Sequence, residues 1–353
     1  MFHQAKVALA AVSVAVLAGC ATTSAASPPA PGTPAAPTQS RTLTVLTHDS
    51  FALSDKVIDG FKKSSGYDVT FVAPGDAGTL VNQLILTKDS PLGDVVFGID
   101  NTFAGRAISE GIVSPYASDS LPAAAADLTP SDALTPVDYG DVCLNADKRY
   151  FAAHDLAVPA TLDDLIKPEY ANLLVVPNPA SSSPGLAFLA ATVGAKGDPG
   201  YLAYWTALKA NGVKVVKGWT EAYTVEFSGS SGKGSRPLVL SYNTSPAYEV
   251  GKDGTAPTVA LTQTCFRQVE YAGVVTGAQN EVGARQFIDF LLSDAVQAEI
   301  PEQMYMYPVS PTAKLPEEWT KFAATVTEPI AAPADLATKR DAWIKAWTAT
   351  VIG

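Results

Sequence analysis

Short apolar runs of strand type alternate with helix-type stretches through the first half of the folded body, and this alternation restricts the folds open to the chain. The strand-type runs are almost continuously apolar, whereas apolar residues recur at helical spacing in the stretches between them. The predicted order is strand, helix, strand, helix, strand, helix over residues 43–47, 53–64, 67–72, 78–88, 94–98 and 103–111. Such alternation is typical of βαβ units, so we expect an α/β fold with a mostly parallel sheet.

The second half of the chain repeats this pattern. Strand-type runs alternate with apolar helix-type stretches over residues 173–176, 185–194, 199–210, 213–216, 238–242, 266–275 and 280–292. Two such halves predict two α/β lobes, and ligands of open α/β sheets bind beyond the carboxyl ends of the strands. Near the C-terminus, Trp343 and Trp347 lie four residues apart in a predicted helix, which favours core packing over a role in a site.

The N-terminal segment indicates export. Lys6 precedes an apolar run over residues 7–18, and the run ends in Leu17-Ala18-Gly19-Cys20. A run of about 12 residues is too short to cross the ~30 Å hydrocarbon core of a bilayer as a helix, and it is typical of a signal peptide. Small residues before a cysteine resemble the cleavage site of bacterial lipoproteins. We predict a signal peptide over residues 1–19 and a lipid on Cys20; the alternative is an ordinary secretory signal with an incidental cysteine.

A tether follows the predicted lipidation site. Residues 21–41 contain only Ala, Thr, Ser, Pro and Gly besides one Gln and one Arg. The prolines between positions 28 and 37 block a regular helix or sheet, and no large apolar side chain offsets the entropy cost of ordering the segment. We therefore expect an exported body held at the outer face of the bacterial cell membrane.

The charge balance disfavours one class of partner. The chain carries 24 Lys and Arg against 35 Asp and Glu, a formal net charge of −11. Such an acidic chain without a basic stripe is a poor candidate for nucleic-acid binding. Its acidity is compatible with a cationic ligand, although most of these carboxylates are expected to be solvated.

Cys143 and Cys265 are an even pair in an exported chain. An oxidising compartment makes a disulfide plausible. Two buried free thiols and a shared metal are the alternatives, and no CxxC motif or histidine cluster accompanies the pair to favour a metal.

Two groups of polar residues follow predicted strands of the first half. His48, Asp49 and Ser50 come after the first strand, and Asp100 and Asn101 come after the third. A catalytic triad is disfavoured at the first group, because adjacent residues at a strand end point in alternating directions, whereas a triad places its base between the other two groups. Asp100 is a candidate carboxylate of the cleft; its alternative role is to cap the following helix.

The start of the helix-type stretch 185–194 is a candidate anion site. Ser182 and Ser183 precede Pro184 and Gly185 there, and hydroxyl groups with free N–H groups at a helix start attract anions. The alternative is that the serines only cap the helix.

Aromatic residues cluster in the segments 217–223 and 241–248, each of which follows a strand-type run. An aromatic box of Trp219, Tyr223, Tyr242, Tyr248 and Tyr305 would bind flat rings by stacking and cations by cation–π attraction. Asp49, Asp100 or Glu221 would supply the opposite charge. Alternatively, each ring packs in the core.

Seven segments together resemble the periplasmic thiamine-binding proteins of ABC importers. They occur in the same order there and cover residues 47–51, 98–101, 137–140, 183–186, 217–223, 241–248 and 306–309. The resemblance implies a two-lobed, periplasmic-binding-protein-like (type II) fold that closes on thiamine or its phosphate esters. It places Trp219, Tyr242 and Tyr248 around the thiamine rings, and it places Ser182, Ser183 and the N–H of Gly185 at the phosphate. Three features depart from the family pattern: His48 replaces a tyrosine, Tyr305 replaces a tryptophan, and a tryptophan usual shortly after the first segment is missing, where residues 52–55 are shortened.

Taken together, these patterns predict the domain organisation and the ligand-binding residues. The first lobe is expected over residues 42–141 and 266–310, the second over 142–265, and C-terminal helices over 311–353, after the signal peptide 1–19 and the lipidated tether 20–41. The hinge is expected near residues 138–144 and 266–272. The ligand-binding candidates are His48, Asp49, Ser50, Asp100, Asn101, Ser182, Ser183, Gly185, Trp219, Glu221, Tyr223, Tyr242, Asn243, Ser245, Tyr248 and Tyr305.

The expected function is capture of thiamine or its phosphates for an ABC permease by a monomer that uses no cofactor or metal and catalyses no reaction. The alternatives are a binding protein for ferric ion or a polyamine and, less favoured, a lipid-anchored hydrolase. Ferric-type relatives use two adjacent tyrosines, whereas Met306 separates Tyr305 from Tyr307.

Overall fold

The structure is a computed structural model that describes residues 40–230 and 233–353. The predicted signal peptide, the lipidated Cys20 and most of the predicted tether lie outside the described residues. No helix within those two ranges is long and apolar enough to span a membrane.

One mixed sheet forms the centre of the fold. Its strands among the described residues are β1 (Thr42–Thr47), β2 (Asp68–Val72), β3 (Val95–Asp100), β4 (Val113–Ser114), β5 (Thr135–Asp147), β6 (Leu174–Pro177), β7 (Lys214–Val216), β8 (Leu238–Tyr242), β9 (Thr258–Val275) and β10 (Tyr307–Pro308). Their order is β2-β1-β3-β9-β5-β8-β6-β7, with β4 paired to β9 and β10 paired to β5.

Helices connect and cover these strands. They are α1 (Asp55–Ser65), α2 (Ala77–Leu86), α3 (Ala104–Ser109), α4 (Lys148–Ala153), α5 (Ser183–Lys196), α6 (Gly200–Ala210), α7 (Trp219–Glu221), α8 (Ser245–Tyr248), α9 (Glu281–Leu291), α10 (Asp294–Gln303), α11 (Glu317–Phe322) and α12 (Leu336–Val351). Short 3₁₀ turns lie at Ala123–Leu128, Asp164–Ile166 and Pro168–Tyr170, and a π-turn lies at Ala222–Glu226.

The prediction of a mostly parallel sheet is wrong at the centre of the sheet. The two ends are parallel, as predicted, because β1 pairs with β2 and β3, and β6 pairs with β7 and β8. Between them, β9 runs antiparallel to both β3 and β5, and β5 runs antiparallel to β8. The physical reason is that β5 and β9 are long strands that pair directly with each other instead of being linked by a crossover helix.

A disulfide joins these two long strands. Cys143 in β5 and Cys265 in β9 are bonded, with 4.2 Å between their Cα atoms. Cys143 lies where the register of the β5–β9 pair shifts, between Val142 and Leu144. The disulfide predicted for this pair is thus confirmed. Cys143 lies in the first predicted hinge segment, and Cys265 directly precedes the second.

The core confirms the prediction for the two C-terminal tryptophans. Trp343 and Trp347 are buried in α12, and the ring of Trp347 meets Trp205 of α6 edge to face, with centroids 5.4 Å apart. Helix α12 therefore packs against α6, which belongs to the predicted second lobe. The exact lobe boundaries stay a prediction.

Candidate functional site

A cavity of about 700 Å³ lies between segments of the two ends of the sheet. Most of these segments directly follow a strand. Its walls come from the residues after β1, β2, β6, β7 and β8, together with β9 and the chain that follows α10. The lining residues are His48, Asp49, Ser50, Asp76, Ala77, Ser183, Pro184, Trp219, Thr220, Tyr223, Thr224, Ser230, Tyr242, Ser245, Tyr248, Glu249, Glu270, Gln303, Met304, Tyr305 and Met306. A volume of this size suits a small organic molecule.

Three aromatic rings form one wall of the cavity. The indole of Trp219 stacks on Tyr223, with centroids 5.1 Å apart and an interplanar angle of 15°, and meets Tyr242 edge-on at 6.4 Å. The indole Nε1 donates to Ser241 Oγ over 3.0 Å, and the hydroxyl of Tyr223 donates to Glu249 over 2.9 Å. Because polar partners hold the rings in place, their faces are preorganised for a flat ligand.

A second aromatic pair borders the cavity. Tyr248 and Tyr305 lie with their ring centroids 4.2 Å apart, and Tyr248 is 56% exposed. Tyr305 has φ 58°, a left-handed backbone that is uncommon outside glycine. Thr244 Oγ1 donates to the carbonyl oxygen of Tyr305 over 2.7 Å and holds this turn against the segment after β8.

Asp76 links the two sides of the cavity. Its Oδ1 accepts from the N–H of Ala77 at 2.7 Å and from the N–H of Ser183 at 3.1 Å, and its Oδ2 accepts from the N–H of Trp219 at 3.0 Å. The carboxylate therefore lies at the N-terminal ends of α2 and α5, where N–H groups lack partners within their helices. Burial raises the pKa of Asp76, and hydrogen bonds from Ser182, Trp219 and Ser183 oppose that shift.

His48 and Glu270 face each other across the cavity floor. His48 Nε2 lies 3.5 Å from Glu270 Oε1, and both side chains are nearly buried. The imidazole Nδ1 accepts from the N–H of Ser50 at 3.1 Å. Burial is the largest single effect and lowers the pKa of His48, but the charge and hydrogen bond of Glu270 together with the charges of Asp76 and Asp49 make the net shift of the His48 pKa upward. Burial is likewise the largest effect on Glu270 and raises its pKa, yet the charge of His48 and hydrogen bonds from His48, Asp138 and Gln268 together bring the pKa of Glu270 below its usual value.

A second carboxyl group lies behind Glu270. Asp138 of β5 pairs with Glu270 of β9 in the sheet register, and its side chain is fully buried. Burial first, and the charge of Glu270 second, raise the pKa of Asp138 well above its usual value. Burial and the neighbouring charge therefore favour the protonated form of Asp138 more than that of Glu270, and Glu270 is the one of the two that lines the cavity.

The structure brings most of the predicted ligand-binding residues to this one cavity. The ten that line it are His48, Asp49, Ser50, Ser183, Trp219, Tyr223, Tyr242, Ser245, Tyr248 and Tyr305. They include all five rings of the predicted aromatic box. The five rings line one cavity together and are not scattered through the core.

Three of the remaining predicted residues serve local structure in the first lobe and at α5. Asp100 is fully buried, and its Oδ1 accepts from the N–H groups of Thr102 and Phe103 at the start of α3, in line with the alternative capping role. Asn101 bridges β3 to β9 through backbone groups. Ser182 caps α5 by accepting from the N–H of Gly185, at 3.4 Å.

The other three also lie outside the cavity lining. An added Cβ at Gly185 would come 2.6 Å from the carbonyl oxygen of Pro177, so this glycine allows close packing. Glu221 is exposed and accepts from the N–H of Lys217. Asn243 is buried and binds the backbone of Asp141 and Ala324.

Sequence reasoning missed three carboxylates of the cavity, namely Asp76, Glu249 and Glu270. Two of them carried a usable signal. Asp76 follows β2 and precedes α2, which is the kind of position by which Asp49 was selected. Glu249 follows directly on the predicted aromatic segment 241–248.

The described residues contain no group of three or more His, Cys, Asp or Glu side chains placed to hold a metal ion. The cavity instead combines ring faces with carboxylates. Chemically, it can bind a flat, positively charged organic molecule.

Residues 90–328 match the family of bacterial extracellular solute-binding proteins. The chain belongs to this family. It is 31% identical to the thiamine-binding periplasmic protein of Brucella suis, over 87% of this chain and 91% of that protein. It is 32% identical to the thiamine-binding periplasmic protein of Escherichia coli, over 88% and 93% of the two chains.

A solved structure of a periplasmic thiamin-binding protein has the same fold. It superposes with a TM-score of 0.76 at 30% sequence identity, covering 88% of this chain and 96% of that one. These relatives confirm the resemblance found in the sequence and the predicted type II fold class. Their family name also implies a location outside the cytoplasm.

Proposed function

We propose that this solute-binding protein captures thiamine or its phosphate esters. One observation carries the proposal: five aromatic rings and the carboxylates of Asp49, Asp76, Glu249 and Glu270 line a single cavity. Thiamine joins a flat aminopyrimidine to a permanently positive thiazolium. Ring faces bind both halves by stacking and cation–π attraction, worth about 0.5–2 kcal/mol for each ring that meets a cation. The relatives named for thiamine binding support this choice of ligand.

The far end of the ligand, a hydroxyl or a phosphate, is proposed to lie at the start of α5. Ser183 lines the cavity there, and its N–H is taken by Asp76. A phosphate at this point would compete with the Asp76 carboxylate for the N–H groups of Ser183 and Trp219. Residues of both predicted lobes thus meet at this end of the cavity.

The alternative ligands fit this cavity less well. A ferric site built on Tyr305 and Tyr307 is disfavoured, because Tyr305 lines the cavity whereas Tyr307 lies in β10 and stacks on Tyr139 at 5.4 Å. A polyamine would use the carboxylates but has no flat ring to place against the aromatic side chains that line the cavity.

Catalysis is also disfavoured by the geometry at His48. The ring accepts from the backbone N–H of Ser50, while the hydroxyl of Ser50 lies 3.3 Å from Thr220 Oγ1. The hydroxyl is therefore not presented to the imidazole as a nucleophile would be to its base. We propose a binding protein that uses no cofactor and does not transform its ligand.

The proposal includes delivery to an ABC importer. Binding would draw the two lobes together around the ligand, and the closed form would dock on the permease. The sequence features at residues 1–41 support anchoring by a lipid on Cys20 at the outer face of the membrane, and we propose that the anchored protein is a monomer.

Isothermal titration calorimetry of the purified protein tests the choice of ligand. Thiamine, its monophosphate, its diphosphate, spermidine and ferric citrate are titrated in turn. We expect saturable binding of one molecule of a thiamine compound for each chain and no saturable heat from the other two. Saturable binding of spermidine or iron, with none of any thiamine compound, would overturn the proposal.

A further inference from the structure

The charged side chains that line the cavity are almost all acidic. Asp49, Asp76, Glu249 and Glu270 lie there, and none of the described residues that line the cavity is a lysine or an arginine. The histidine of the lining, His48, already faces Glu270. A phosphate monoester carries about −1.5 to −2 charges at neutral pH, and like charges repel each other more strongly in a partly enclosed site than in water. The cavity therefore favours a ligand with a net positive charge.

The start of α5, which the structure describes in full, has no unpaired backbone N–H for a phosphate. The N–H of Ser183 donates to Asp76 Oδ1 at 3.1 Å, and the N–H of Gly185 donates to Ser182 Oγ at 3.4 Å. The proline between them has no N–H, and the N–H of Leu186 donates to the carbonyl oxygen of Ser182 at 3.0 Å. The donors with which a helix start binds phosphate are thus taken by the protein itself.

Asp76 occupies the position that a bound anion would take. Its oxygens accept from the N–H groups of Ala77 and Ser183, which begin α2 and α5, and from the N–H of Trp219. The side chain is buried, so solvent ions screen it poorly from a second anion. A phosphate could reach these donors only by displacing Asp76, and the displaced carboxylate would then lie unpaired beside another negative charge.

A hydroxyl group avoids this conflict. The alcohol of thiamine carries no charge and has a proton to donate, so a carboxylate such as Asp76 can accept from it, whereas a phosphate that has lost its protons can only accept. The hydroxyl-bearing side chains of Ser50, Ser183 and Thr220 also line the cavity, and those of Ser50 and Thr220 lie 3.3 Å apart. These groups can both donate to an alcohol and accept from it.

We propose that the cavity selects unphosphorylated thiamine over its mono- and diphosphate, and that Asp76 sets this preference by holding the donors that a phosphate would need. The inference rests on the proposed function and narrows it, because it names which of the thiamine compounds is captured. Asp76 then acts as a specificity-determining residue at the end of the cavity formed by α5.

Calorimetric titrations with thiamine and thiamine monophosphate at neutral pH test this preference. We expect the wild-type protein to bind thiamine at least about tenfold more tightly than the monophosphate. Asp76→Asn removes the charge and keeps the size of the side chain, so the preference should shrink by about tenfold. Asp49→Asn is the matched control, because it removes an exposed carboxylate of the same cavity while the N–H groups of α5 keep their acceptors; it should keep most of the wild-type preference.

The outcomes separate this inference from the proposed function. A wild-type protein that binds thiamine monophosphate as tightly as thiamine, or more tightly, overturns the selectivity alone. An equal loss of preference in Asp76→Asn and Asp49→Asn overturns the role of Asp76. No binding of any thiamine compound overturns the proposed function and this inference with it. Should Asp76→Asn fail to fold, the two affinities of the wild-type protein decide, since only a weaker affinity for the monophosphate agrees with the proposal.

Discussion

Tyr248 offers a direct test of the aromatic lining of the cavity, because its ring lines the cavity and is 56% exposed. Tyr248→Ala should weaken thiamine binding by about 0.5–2 kcal/mol through loss of one ring face. Its effect on the free energy of unfolding should be small, since little buried area is lost. Calorimetric titration and chemical denaturation measure the two quantities.

Tyr150→Ala is the matched control for this substitution. Tyr150 stacks on His154 with centroids 4.0 Å apart, and it does not line the cavity. The control should bind thiamine as the wild-type protein does. Equal affinities of Tyr248→Ala and the wild-type protein would exclude this ring from the site.

Asp100 provides a second residue-scale test, based on its titration. Burial raises the pKa of Asp100 to about 6, from the usual 3.8. Between these values the folded protein keeps a proton that the unfolded chain has lost, so this group lowers the free energy of unfolding as pH rises. Asp100→Asn removes that contribution. Its free energy of unfolding should therefore rise relative to that of the wild-type protein between pH 3.8 and about 6, and the difference should stay constant above about pH 6.

Denaturant unfolding at several pH values measures the Asp100 contribution. Asp127→Asn, a change at an exposed aspartate, is the control and should follow the wild-type curve. Parallel curves for Asp100→Asn and wild type would show that Asp100 does not titrate in this way.

The sequence predicts those site residues whose position is indicated by their immediate neighbours in the chain. Trp219, Tyr242 and Tyr248 were predicted because each lies just after a strand-type run, and the structure places them in one cavity. The position of Asp76 after β2 carries a local signal, but its role in linking the two sides of the cavity does not, because the N–H groups of Ser183 and Trp219 lie more than a hundred positions away along the chain. Only the tertiary fold brings those donors to it.

At the scale of elements, the end of β3 shapes the position of His48. Gly98 has φ +97°, and a Cβ added there would lie 2.1 Å from His48 Cδ2. The bulge between Phe97 and Ile99 puts this glycine against the imidazole. Gly98→Ala should therefore lower the free energy of unfolding and also weaken thiamine binding by displacing His48.

Gly111→Ala separates backbone strain from this contact. Gly111 also has a positive φ, +66°, but an added Cβ would meet open space. Both substitutions should cost about 1–2 kcal/mol of folding stability from the backbone alone, and only Gly98→Ala should lose affinity as well. The same affinity for both variants would contradict the proposed contact. Thermal unfolding and calorimetric titration measure the pair.

The prediction of elements was better than the prediction of their pairing. The apolar periodicity located α1, α2, α5, α6 and α9 to within a few residues. It did not reveal that β9 begins at Thr258 or that β5 and β9 pair antiparallel, because the pairing joins residues about 120 positions apart. A hydrophobic pattern indicates which residues of a strand are buried, but it does not specify which other strand pairs with it.

At the scale of the whole molecule, the disulfide ties together the two strands that run through the centre of the sheet. The Cys143–Cys265 bond closes a loop with a sequence separation of 122 residues. The chain-entropy model gives such a loop about 5 kcal/mol of stabilisation. The double variant Cys143→Ala/Cys265→Ala should unfold at a lower denaturant concentration than wild type, by a comparable free energy.

Reduction of the wild-type protein is the companion measurement for this prediction. Reduction breaks the S–S bond but leaves both cysteine side chains in the core. Both treatments should lower stability in the same direction. Unchanged denaturation midpoints in both would show that the bond does not stabilise the fold.

Residues that follow strands at both ends of the sheet build the cavity, so its shape depends on the whole fold. A crystal structure of the protein with thiamine tests this account most directly. We expect the ligand in the cavity, with a ring against Trp219 or Tyr242 and the thiazolium beside Glu270. Thiamine bound elsewhere on the surface, with these side chains untouched, would contradict it.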